Sequence, residues 1–242
     1  MRRRPSPARA LLLAVLALAG TRNAVPAQGI YEPPAGQNFE GVWQIQGEHS
    51  AVRTIDGRLP PMSPAAARRY AAAIRSRKAG KADFDTIQTC RPHGFPRILF
   101  AAYPIEILQE LRQVTFIHEI HHMPRLVYLD MTLPNLADMD PNWMGLSVGR
   151  WDGDTLVVES QGFNDLTTLD SAGLPHSTDM RVTERIRKLD ADTLEDVIAI
   201  TDPKTFTASW STRVTYRRQP GLRLKEYVCT DSNPEAQAPH GH

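Results

Sequence analysis

From Ile98 to Cys229 the chain is a succession of short segments in which apolar and polar residues alternate, separated by turn residues. Alternation with a period of two gives a strand one apolar and one polar face. It predicts strands near 98–102, 105–109, 112–121, 125–130, 144–151, 155–161, 179–189, 193–201, 207–217 and 222–229, after a first strand over Phe39–Gly47. Trp151-Asp152-Gly153-Asp154, Asp190-Ala191-Asp192 and Gln219-Pro220-Gly221 read as tight turns, the Asp-Gly pair favouring a type I′ hairpin. Longer loops run over 131–143 and 162–178. One helix interrupts the β pattern. Ser63 is a good N-cap, Pro64 suits the first helical position, 65–79 is rich in Ala and Arg, and Gly80 ends it. Many short antiparallel strands with one early helix predict a mainly β fold closed into a barrel, since closure removes exposed strand edges. A barrel of about eight strands has room for one small ligand.

The first residues read as an export signal. Arg2, Arg3 and Arg4 form a basic start, Ala10–Ala19 is an apolar run, and Val25-Pro26-Ala27 supplies small residues before Gln28. The apolar run is short for a bilayer span, and no later segment looks transmembrane. The expected organisation is a signal peptide over 1–27, a single β-barrel domain over 28–231 and a disordered tail over 232–242. About 215 residues remain after cleavage, enough for one barrel. The whole chain carries 28 basic and 27 acidic residues, and loss of the basic signal leaves it slightly acidic. That balance gives no reason to invoke nucleic acid. An exported chain with two cysteines, Cys90 and Cys229, suggests a disulfide. Two separate buried thiols are the alternative.

Several charged or imidazole side chains share faces with apolar ones. Glu184 alternates with Val182 and Ile186; Arg150 with Met144, Leu146 and Val148; His118 and His122 with Val114, Phe116 and Ile120. Such groups point where the hydrophobic groups point. A buried charge needs a partner or changes its protonation state, and perturbed groups cluster at working sites. Glu184 and Arg150 are therefore expected as an inward pair. Arg125 and Asp130 fall on opposite faces of one strand, so at most one of them reaches the interior. His176 follows Gly173-Leu174-Pro175 in a long loop, where a barrel mouth carries function; a turn or capping role with Ser177 is equally open. His118-Glu119-Ile120-His121-His122 is not the helical His-Glu-x-x-His zinc motif, and no metal ligand set is expected. Trp43, Trp143, Trp151 and Trp210 read as packing residues. Nucleophile elbow, phosphate loop and dinucleotide fingerprint are all absent, so no cofactor is expected.

Longer motifs carry a resemblance. Gly41-Val42-Trp43 looks like the Gly-x-Trp signature of lipocalin-like barrels. The run Trp143–Val158 (WMGLSVGRWDGDTLVV) resembles the core "GHSxGRWEGDTLVV" of a large, largely uncharacterised family of exported bacterial lipocalin-like proteins. Cys90–Arg97 (CRPHGFPR), Pro104–Ile107, Gly162–Asp165, His176-Ser177, Glu184-Arg185 and Glu226–Cys229 match as well, so the likeness spans nearly all of the chain after the signal. It implies a lipocalin-like (calycin-type) barrel and an exported, periplasmic or secreted, compartment rather than an activity. Two departures stand out. Leu146 replaces the histidine of "GHS", and Asp130–Pro134 (DMTLP) replaces "DGRxHP".

These readings predict a cofactor-independent acid–base enzyme, of lyase, hydratase, isomerase or cyclase type, acting on a small, largely apolar molecule inside the barrel. His118, Glu184, Arg150 and His176 are its expected catalytic groups. His122, Arg125, Asp130, Phe116 and Leu146 are its expected ligand contacts. A periplasmic carrier or sensor using the same cavity is the alternative, and a filled structural barrel is a third possibility. Oligomeric state is not legible.

Overall fold

The computed structural model describes residues 31–47, 49–81 and 85–232. The expected signal 1–27 and all but Ser232 of the expected tail lie outside them. Nine strands form a closed barrel in sequence order: β1 (Gly41–Ile45), β2 (Ile105–Glu110), β3 (Gln113–His118), β4 (Met123–Tyr128), β5 (Leu146–Asp152), β6 (Thr155–Gln161), β7 (Arg181–Asp190), β8 (Thr193–Thr201) and β9 (Trp210–Arg218). β1 closes the ring antiparallel to β9.

The pattern predicts a wholly antiparallel barrel, but one neighbouring pair departs from it. β4 and β5 run parallel, paired at Val127–Ser147 and Tyr128–Val148. Strand parity explains this. A closed ring of antiparallel neighbours needs an even number of strands, so nine strands force a parallel pair. A parallel pair needs a long crossover, and 129–145 is the loop long enough to provide it.

The tight turns form where the sequence places them. Asp152 pairs with Thr155 around Gly153, whose φ is +60°, and Asp190 pairs with Thr193. The helix α1 (Pro64–Lys78) also matches, with the Ala66 amide donating to Ser63 Oγ. It buries Ala66, Tyr70 and Ala73. Two expected strands do not form. Arg97–Phe100 is a 3-10 turn with all four residues buried, and 222–228 has no strand partner.

Inward positions include Trp43, Ile107, Val114, Leu156, Val158, Ile198 and Val214, all at or near zero exposure. Phe95, Ile98, Leu99 and Phe100 join the same core, so the 94–100 segment acts as a plug. It is held by the Phe95 amide on Trp143 O (2.8 Å) and by a buried Arg97–Asp85 pair at 2.9 Å. Cys90 and Cys229 form a disulfide with a Cα–Cα distance of 5.7 Å, tying the approach to the plug to the last described residues. Among the described residues no helix is long and apolar enough to cross a membrane.

Candidate functional site

Arg125 is the centre of the interior. It lies opposite Phe116 on β3, facing inward, and is 2% exposed. Glu184 on β7 is fully buried and faces it across the barrel. Arg125 Nη1 donates to Glu184 Oε1 at 2.8 Å, and Nη2 donates to Oε2. Nε and Nη2 also donate to Ser147 Oγ and Ser160 Oγ, each at 3.1 Å, and the two hydroxyls lie 2.8 Å apart. Such a fork is a strong charge-assisted arrangement. The guanidinium is packed between rings, 3.9 Å from the Phe95 centroid and 5.6 Å from that of Phe116. The plug thus places an aromatic face on the buried cation.

Asp196 on β8 joins this centre. It sits opposite Ile186 on β7 and Val214 on β9, diagonal to Glu184, which sits opposite Ile198. It is 1% exposed, and its Oδ1 has no hydrogen-bond partner. Burial first, and the neighbouring Glu184 charge second, push its carboxyl well above the usual range. His118 lies on the same inward face of β3 as Phe116 and is 1% exposed; its Nε2 has no partner. Burial, then the Arg125 charge, pushes its imidazole down to about 3. Tyr216 is held protonated by burial and by the neighbouring carboxyls, and its hydroxyl donates to Leu99 O at 3.3 Å. Beside these groups is a closed cavity of about 10 Å³, lined by Glu184, Asp196, Tyr216, Phe116 and apolar side chains. That is room for about one water molecule, so the barrel interior is filled rather than open.

The structure therefore brings together Glu184, His118, Arg125 and Phe116 from the expected set, and separates the rest. Arg150 is exposed on the outer wall, in a groove of about 260 Å³ with Leu129, Met131, Leu133, Val148 and Glu159. Arg125, not Arg150, is the partner of Glu184. The inward set of β5 is Ser147, Gly149 and Trp151, so Leu146 also falls on the outer side, half-buried. His122 does not share the face of His118. β3 ends at His118, and His121 and His122 turn left-handed with φ of 58° and 47°. His122 is exposed, its Nε2 accepting from the Tyr227 amide at 2.7 Å. Asp130 is exposed and pairs with Arg112 at 3.2 Å. His176 is buried outside the cavity, its Nδ1 3.3 Å from Ser177 O, and Ser177 Oγ donates to Asp202 at 2.7 Å. Burial lowers the His176 pKa. This is the turn-anchoring arrangement.

Asp196, Tyr216, Phe95 and the two serines are the members that the sequence reading misses. Asp196 carried a usable signal, since it alternates with Leu194, Ile198 and Ile200. Ser147 and Ser160 carried none. A second polar cluster lies near the disulfide, where His93 Nδ1 is 3.0 Å from His121 Nε2 and burial pushes His93 down to about 3. Among the described residues no group of three or more His, Cys, Asp or Glu is placed to hold a metal ion. Comparison with family models and with curated proteins finds no match to this chain.

Proposed function

We propose that the protein is a cofactor-independent acid–base enzyme, of lyase, hydratase, isomerase or cyclase type, acting on a small, largely apolar molecule in the barrel interior. The observation that carries this reading is the pair of wholly buried, unpartnered polar atoms, His118 Nε2 and Asp196 Oδ1, on the inner wall that holds Arg125 and Glu184. Each such atom costs about 1–3 kcal/mol, a cost that apolar side chains would avoid. In this reading Asp196 and Glu184 share one proton, neutral His118 accepts or donates at Nε2, and Arg125 stabilises negative charge developing on the substrate. Arg125 takes the role expected of Arg150. His176 holds its loop. The substrate reaches the network when the 94–100 plug moves, because the closed cavity is smaller than any organic molecule.

The lipocalin-like (calycin-type) identity is part of the proposal, supported by the closed barrel and by the likeness of Trp143–Val158 to the family core. An exported compartment is supported by the disulfide and the signal-like first residues. A second reading, a filled barrel whose polar network serves stability alone, is favoured by the size of the cavity.

The test begins with a native mass spectrum of the protein purified from the exported fraction. The enzyme reading expects a bound organic mass, or capture of a small apolar compound from a metabolite extract. His118→Ala then lowers turnover of that compound far more than its affinity. Retention of an unchanged compound with no turnover establishes a carrier instead. A bare protein that captures nothing supports the filled barrel.

A further inference from the structure

We infer that the exposed face of α1 is a docking surface for the anionic headgroups of a phospholipid bilayer, which the protein touches from one side. The choice of lipid over other polyanions rests on the exported compartment proposed above. The cationic surface itself does not depend on that reading, nor on the interior being a site.

From Gly57 to Ala82 the chain has no acidic residue. Arg68, Arg69, Arg75, Arg77, Lys78 and Lys81 crowd into that stretch, and all are exposed. The whole chain is nearly balanced, with 28 basic and 27 acidic residues, so the asymmetry is local. Among the described residues none of these cations forms an ion pair. α1 buries Ala66, Tyr70 and Ala73. Positions 68, 71, 72, 75 and 78 follow the three- and four-residue spacing of one helical face, opposite the buried stripe. The outward face therefore presents Arg68, Arg75 and Lys78 with exposed Ala71 and Ala72 between them.

Three features point to an anionic bilayer. First, a helix face that only meets water commonly mixes signs, with acidic and basic residues four apart supporting each other; α1 has no acidic residue. The helix dipole accounts for Arg75, Arg77 and Lys78 in the last turn. Arg68 and Arg69, near the other end, gain nothing from it. Second, the alanines between the cations are short, so the guanidinium and ammonium heads can meet a flat surface together. Third, the turn ahead of the helix exposes Ile55 and Leu59, each 49%, and the Ile55 amide pins it to Ser211 O at 2.9 Å. Cations together with exposed aliphatic side chains suit the boundary between headgroups and acyl chains. Nucleic acid would use the cations and leave the aliphatic side chains in water.

Vesicle flotation tests this with protein purified from the exported fraction. Wild type should float with vesicles of equal parts phosphatidylglycerol and phosphatidylcholine at low salt, and should be released by high salt, which screens the attraction. It should not float with phosphatidylcholine alone. The triple variant Arg68→Gln, Arg75→Gln, Lys78→Gln should lose about fivefold in binding for each cation removed. A matched variant, Arg150→Gln, Arg181→Gln, Arg223→Gln, changes net charge equally at exposed cations elsewhere and should bind like wild type. Circular dichroism of both variants should match the wild type, since only exposed side chains change. Leu59→Ser should weaken vesicle binding. The docking surface is overturned if wild type does not float with the anionic vesicles, or if it floats equally well with uncharged ones. It is also overturned if the matched variant loses as much as the triple variant. Binding to a DNA duplex but not to vesicles would make α1 a nucleic-acid surface and overturn the bilayer. Unchanged vesicle binding by Leu59→Ser would overturn the part given to the aliphatic side chains.

Discussion

Arg125 and Arg150 sit on strands that touch, β4 and β5, yet they meet opposite environments. Arg125 is 2% exposed and makes hydrogen bonds to three side chains, whereas Arg150 lies on the outer wall. Removing one partner of a buried ion pair leaves the other charge uncompensated and costs about 3–5 kcal/mol. Arg125→Ala should therefore lose that much in urea unfolding, while Arg150→Ala should stay within about 0.5 kcal/mol of wild type. Equal losses would contradict the face assignment. Glu184 and His118 were legible in sequence because their strands bury one face and leave the other wet. The same alternation marks Asp196. It fails on β5, where Ser147 and Val148 are both buried. Leu129, Met131, Thr132 and Leu133 line a groove over its outer face, so the apolar pattern of Leu146 and Val148 followed the wrong side. Its polar inner residue, Ser147, looks like a solvent-facing one. A serine that bonds a buried guanidinium has no pattern of its own.

Among the elements, the plug is the one that alternation cannot find. Ile98-Leu99-Phe100 is a continuous apolar run, and such a run reads equally as a buried strand or a buried turn. What decides is the anchoring on each side: Arg97 on Asp85 and Thr168, Phe95 on Trp143 and on the face of Arg125. Gly94 sets the entry angle with φ of +69°, and an added Cβ would lie 2.7 Å from Thr167 Cγ2 and 3.2 Å from Trp143 O. Gly94→Ala combines a left-handed backbone with a crowded site, which together cost about 1–3 kcal/mol. Its urea midpoint should fall accordingly, with an unchanged midpoint showing that the plug is not held as described. The helix and the hairpin turns were legible because each depends on a few local residues, Ser63-Pro64 and Asp152-Gly153 among them. The parallel β4–β5 pair was not, because it follows from the strand count around the whole ring.

At the scale of the molecule, the disulfide cross-links positions 139 residues apart and restricts the unfolded chain on the order of 5 kcal/mol in the chain-entropy view. The buried histidines set the acid response. His118 is neutral when folded, with its pKa pushed from 6.5 to about 3. The unfolded chain therefore binds a proton below pH 6.5 that the folded chain does not. Its contribution is present above pH 6.5 and is lost as pH falls toward 3, at about 1.4 kcal/mol per pH unit. Asp196 acts in the opposite sense, since a raised carboxyl favours the folded state as pH falls. Comparing wild type with His118→Leu isolates the first effect: the wild-type curve should fall more steeply below pH 6.5, and parallel curves would refute a neutral buried His118.

The central claim is that the Arg125–Glu184–Asp196 network serves chemistry, not cohesion. Replacing all three with apolar residues of similar size, Arg125→Met, Glu184→Leu and Asp196→Leu together, tests it in one denaturant curve. Buried ion networks replaced in this way are often neutral or more stable by about 1–4 kcal/mol. The account predicts a folded triple variant at least as stable as wild type. A loss of several kcal/mol would show that the network holds the barrel together and contradict it.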